Sequence, residues 1–116
     1  MDKKNEVLDL SFDFALSIIK YCDTLEERRK YVLARQLLRA GTSIEANIRE
    51  AQNPHSRADF IAKLVIAARE ASETDYWLQL CDKSEQYPDP GGLLNQILSL
   101  KKLLSKIIST AKRGKP

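Results

Sequence analysis

A chain of 116 residues with 43% hydrophobic and 30% charged side chains is long enough to bury a core as one domain without covalent staples. No run approaches the roughly 18 apolar residues that span a bilayer, and the N-terminus MDKKNEVLDL is too acidic and too poor in apolar residues for a secretory signal, so a cytoplasmic location is expected. The net charge of +3 is unevenly spread: Lys101, Lys102, Lys106, Lys112, Arg113 and Lys115 follow Asp89 and no acidic residue does, leaving thirteen basic against sixteen acidic side chains in residues 1–89.

A first helix is expected from about Lys4 to Cys22. Leu8, Phe12, Ala15, Ile19 and Cys22 recur at steps of four and three, and Val7, Phe14 and Ile18 widen the stripe. Asp23 and Thr24 break the pattern. Thr24-Leu25-Glu26-Glu27 matches a capping box and opens a second helix that lasts to about Gln52. Leu33, Leu37, Ala40, Ile44, Ile48 and Ala51 form its seam. Gly41 lies inside that helix at a cost of about 1 kcal/mol relative to alanine; beside Thr42 and Ser43 it points to close approach of a neighbouring helix, with a kink as the competing reading.

Asn53-Pro54-His55 reads as a turn, because proline pushes the residue before it out of helical space. Ser56 and Asp59 then offer an N-cap and an acidic N3 position for a third helix that runs to about Ser84. Phe60, Leu64, Ala67, Ala71, Thr74, Leu78 and Cys81 alternate steps of four and three along it, so all seven share one seam. Ile61, Val65 and Ala68 form a second stripe. Tyr87 to Gly92 is the longest loop, with Asp89 and Pro90 expected as N-cap and N1 of helix four. Leu93, Ile97, Leu100, Leu104, Ile107 and Ala111 make that helix's seam, and the last three residues should fray. No segment alternates with period two. The expected fold is all-α, an antiparallel up-and-down four-helix bundle over residues 1–116.

Catalytic chemistry is hard to place on this chain. It has a single histidine, His55, in a proline-containing turn, and no HExxH or P-loop motif. A di-iron bundle needs two histidines, so neither metal nor other cofactor is expected and the chain is not expected to be an enzyme. Cys22 and Cys81 fit no zinc or CxxC spacing. Both fall on apolar stripes and read as buried thiols, although a disulfide between them stays open.

Two surface features remain. Arg28, Arg35, Arg39 and Arg49 fall within an arc of about 80° on a helical wheel of the second helix, opposite its seam. Arginine forks match phosphate oxygens, so this stripe and Lys101, Lys102 and Lys106 of helix four are the candidate nucleic-acid contacts. Glu70, Glu73, Tyr76 and Trp77 cluster beside the third seam. The two carboxylates are placed to pair with Arg39, Arg49 or Arg69, and the aromatic pair to cap the core edge or anchor a subunit contact.

Residues 36–51, QLLRAGTSIEANIREA, resemble the signature of the small four-helix-bundle family that includes proteins encoded in intervening sequences of bacterial 23S ribosomal RNA genes. Ser56, Asp59-Phe60-Ile61, Lys63, Ile66-Ala67, Glu70-Ala71, Glu73-Thr74 and Tyr76-Trp77-Leu78 agree in order and spacing. The resemblance implies a bundle that assembles as a homo-oligomeric ring, notably a pentamer, and carries over no catalytic residue. A related branch, the accessory variability determinant of diversity-generating retroelements, is a basic pentamer that binds RNA and the reverse transcriptase. Two functions follow as expectations: a non-enzymatic ring that binds structured RNA through shape and charge, or a protein-interaction scaffold that uses the Glu70–Trp77 surface.

Overall fold

The seam that starts at Phe60 organises the computed structural model of the protein, which describes residues 5–114. Leu64, Ala67, Ala71, Thr74, Leu78 and Cys81 are all buried on helix α3 (Arg57–Lys83), with Phe60 half-buried at its start. Around α3 are α1 (Glu6–Glu27), α2 (Tyr31–Glu50) and α4 (Leu93–Lys112). Each helix packs on its neighbours in sequence, and α1 closes the ring against α4. Among the described residues no Cα of α2 comes within 8 Å of one of α4, so those two helices occupy opposite corners of an up-and-down bundle.

The α1 seam lies one position away from the expected one. Val7, Ser11, Phe14, Ile18, Tyr21, Cys22 and Leu25 are buried, while Phe12 and Ile19 stand 45% and 43% exposed. Ser11 explains the shift. Its hydroxyl donates to the Leu8 carbonyl (3.0 Å), which satisfies a polar side chain at a core position and hides that position from an apolar count. Asn5 is the N-cap, its side chain accepting from the Leu8 N–H; Lys4, the expected helix start, lies outside the described residues.

The first helix boundary also differs. Thr24 does not open α2; it sits inside α1 and its hydroxyl donates to the Lys20 carbonyl (3.3 Å). The chain turns at Arg28–Lys30 instead. Arg29 adopts φ 64°, its N–H bonds the Glu26 carbonyl (2.8 Å), and the Lys30 N–H bonds the Leu25 carbonyl (2.8 Å). These are the paired bonds of a Schellman ending, with arginine at the left-handed position that glycine usually fills. Consequently Arg28 caps α1 and is not a member of the second helix.

Gly41 lies in unbroken α2, and close approach rather than a kink accounts for it. A Cβ there would lie 2.9 Å from the Ile18 Cγ2 of α1. At the next turn the expected cap forms, with the Ser56 hydroxyl accepting from the Asp59 N–H (3.0 Å). Before α4, Asp89 does not cap the helix; its carboxylate accepts from the Gly91 N–H (2.9 Å), and the helix starts at Leu93 behind Gly92. The Tyr21 hydroxyl donates to the Pro88 carbonyl (2.5 Å) and ties this loop to α1.

Candidate nucleic-acid interface

Burying Leu93, Ile97, Leu100 and Leu104 turns one side of α4 inward, and its period sends the intervening lysines outward. Lys102, Lys106 and Lys112 are exposed on the helix, and Arg113 is exposed at its C-cap. Among the described residues none of these four enters an ion pair. Lys112 and Arg113 also complement the partial negative charge at the helix C-terminus. Lys115 lies outside the described residues.

Lys101 behaves differently. It points sideways to α3, where its ammonium donates to Asp75 (3.0 Å). Asp75 is 7% exposed and also accepts from the Gln79 amide (3.1 Å). A carboxylate that deep needs a cation beside it. Lys101 therefore holds α3 to α4 and adds little net charge to the surface.

The arginine stripe divides in the same way. Arg39 of α2 reaches across to α3, bonding Glu70 (3.2 Å) and Glu73. Arg49 pairs with Glu45 one turn earlier (2.5 Å) and lies over the Phe12 ring of α1 (5.9 Å). Lys63 bridges to Glu50 (2.9 Å), and that hydrogen bond holds its ammonium above the usual lysine range. Arg28 in the α1–α2 turn and Arg35 on α2 are exposed and enter no ion pair among the described residues. Of the expected phosphate contacts and the α4 cations, those left without an ion pair among the described residues fall in two groups: Arg28 and Arg35 on one corner, and the α4 cations on the opposite one. A single chain does not merge them into one track.

The carboxylates and aromatics grouped beside the third seam do meet in space. Glu73 accepts from both Arg39 and the Trp77 indole N–H (3.0 Å). Trp77 is half-buried at the core edge, and Tyr76, 56% exposed, lies tilted against it with ring centroids 5.1 Å apart. Half of this cluster is thus an intrachain α2–α3 clasp, and Tyr76 is its free edge.

His55 is exposed, but it is not isolated. With Pro54, Arg57, Phe60, Lys106 and Ile107 it lines a cleft of about 670 Å³ between the α2–α3 turn and the last turns of α4. Arg57 donates to the Ala111 carbonyl (3.1 Å), fixing the turn to the end of α4. This cleft combines residues about 50 apart in the chain, so neither local pattern nor periodicity could announce it.

The two thiols lie in the core. Cys22 and Cys81 are free and buried; burial pushes the Cys22 thiol up to about 12 and raises that of Cys81. Among the described residues no three histidine, cysteine, aspartate or glutamate side chains group so as to hold a metal ion, and no helix is long and apolar enough to cross a membrane.

Residues 3–109 match the family model described as 23S rRNA-intervening sequence protein. The fold is also similar to a crystal structure from Bacteroides thetaiotaomicron, a protein with unknown function from the S23 ribosomal protein family. That protein is 45% identical, with a TM-score of 0.83, and the match covers 88% of this chain and 97% of the other. No curated protein matches the chain.

Proposed function

The chain belongs to the 23S rRNA-intervening sequence protein family, and from that membership and its charge layout we propose that it is a non-enzymatic, self-assembling bundle that binds structured RNA. One observation carries the reading: Lys102, Lys106, Lys112 and Arg113 project from α4 with no carboxylate paired to them among the described residues. Elsewhere on the surface Arg39, Arg49 and Lys63 are spent on internal ion pairs. Uncompensated cations are the footprint that phosphates read, through charge and counterion release rather than sequence.

The test is a salt titration of binding to a hairpin of 23S ribosomal RNA. Affinity should fall steeply with salt. Lys102→Ala with Lys106→Ala should lower the slope of log K against log salt by roughly 1.4–1.8, from about 0.7–0.9 per lost phosphate contact. An affinity indifferent to salt, or no complex at low salt, overturns the reading.

A self-assembling form is favoured by apolar side chains that the monomer leaves in water. Phe12, Leu16 and Ile19 of α1 and Leu38 of α2 are each between 39% and 48% exposed. Val32 of α2 is 73% exposed, and it shares a cleft with Trp77 and Leu80 of α3. Apolar surface of this kind marks protein contacts. If it takes other proteins instead of copies of the chain, the protein is a scaffold, and light scattering separates the two.

A further inference from the structure

We propose that the cleft between the α2–α3 turn and the end of α4 receives a single unpaired nucleobase, whose flanking phosphates are held by Arg57 and Lys106. This rests on the RNA-binding reading and deepens it, from charge-driven attachment to recognition of an unpaired nucleotide.

Three features of the cleft carry the inference. Its size, about 670 Å³, falls within the roughly 300–1,000 Å³ of ligand clefts. Its walls are apolar, from Phe60, Leu103 and Ile107, and Phe60 is only half-buried, so an aromatic ring is available to an incoming base. Its rim holds Arg57, His55 and Lys106, and among the described residues no carboxylate lines it. Asp59, in the first turn of α3, is committed to the α2–α3 turn, its carboxylate accepting from the His55 N–H (3.0 Å). An apolar, aromatic-walled cleft with a cationic rim fits a π-face carried on an anionic backbone. A paired base cannot reach it, because stacking and pairing bury both its face and its edge; a bulged or looped base can.

The turn is also braced to keep this shape. Ser56 caps α3 through the Asp59 N–H, and Arg57 ties the turn to the Ala111 carbonyl. The rim is therefore set before ligand arrives, and binding loses little to ordering it.

The experiment compares two hairpin RNAs that differ only by one unpaired adenosine, by fluorescence anisotropy at fixed low salt. The protein should bind the bulged hairpin about tenfold more tightly, the scale of one base–aromatic stack. Phe60→Leu removes the ring while keeping apolar volume, and Thr110→Trp, at an exposed position lining the cleft, fills it. Each should abolish the preference and leave affinity for the unbulged hairpin within about twofold. Circular dichroism confirms the fold of each variant, and Thr110→Trp stands alone if Phe60→Leu unfolds. Equal affinity for the two hairpins overturns the base receptor and leaves charge-driven binding intact. So does a preference that survives Thr110→Trp. Absence of any complex overturns the RNA reading itself, and the receptor with it.

Discussion

Arg29 holds a conformation that its side chain disfavours. At φ 64° an L-residue brings Cβ against the following carbonyl, at about 1–2 kcal/mol, whereas glycine does not. Glycine loses more freedom on folding, which returns part of that difference. Arg29→Gly should therefore stabilise the protein by roughly 0.5–1 kcal/mol, seen as a melting temperature higher by a few degrees; an unchanged or lower value sinks the account. This residue also shows why the α1–α2 boundary was illegible. The turn carries no glycine or proline, and Thr24-Leu25-Glu26-Glu27 imitates a helix start. The thiols give a second prediction at this scale. Both are held above the usual cysteine range by burial, so the folded state keeps protons that the unfolded chain gives up. Their neutral form supports folding fully below the unfolded value of 9.0 and loses that support as pH rises through the raised folded values, about 12 for Cys22. Urea melts should show stability falling above pH 9, and Cys22→Ala with Cys81→Ala should flatten that fall even while its cavities lower stability at neutral pH. An alkaline slope identical in both proteins removes the thiols from the explanation.

Between elements, the contact of Gly41 with Ile18 sets how closely α1 and α2 approach. Ile18 is fully buried and β-branched, with Cγ2 and Cγ1 both facing the glycine at 2.9 and 3.0 Å, so it has little room to yield to an added methyl group. Overpacking of this kind costs about 1–3 kcal/mol, against about 1 kcal/mol gained from alanine's helix propensity. Gly41→Ala should thus be neutral to destabilising by up to roughly 2 kcal/mol. The sharper expectation is coupling. Ile18→Ala, which removes both γ carbons that meet the added methyl, should cost less in the Gly41→Ala background than in the native one, and additive effects in a double-mutant cycle would remove the steric link. Gly41 was legible in the sequence because glycine weakens a helix interior, a cost offset here only by the space it leaves for a neighbour. The α3 seam was equally legible, since its six deepest positions are all apolar or threonine. The α1 seam was not, because Ser11 belongs to it and Phe12, Leu16 and Ile19 offer a second apolar stripe of equal strength. Periodicity finds a stripe; it does not say which of two the core takes.

At the scale of the whole molecule, those surplus apolar residues explain why an assembly is expected at all. Phe12, Leu16, Ile19 and Leu38 lie along the α1–α2 face, and Val32 and Leu80 along the α2–α3 face. Adjacent faces of a four-helix bundle point roughly a right angle apart, and under the proposed self-assembly two different patches at such an angle would suit a closed head-to-tail ring. The same ring would repeat the two basic corners around its circumference, multiplying patches that are weak singly. The charges of the candidate site were legible in the sequence as a count, but not in their fates. Arg39 and Lys101 look like Arg35 and Lys112 on a helical wheel, and only the facing helix decides which cation is neutralised. That division makes assembly and RNA binding separable. Leu16→Glu places a charge in the α1–α2 patch, where the monomer has water to solvate it. It should leave the monomer's stability within about 0.5 kcal/mol, as exposed substitutions do, while light scattering shows the assembly dissociated. The dissociated form should keep a measurable affinity for a short RNA hairpin, because Lys102, Lys106 and Arg113 sit on α4 and its C-cap, but lose avidity for long RNA that spans several subunits. A mass that stays that of the native assembly puts the interface on another face; a monomeric native protein removes the ring and returns the apolar stripes to a different partner.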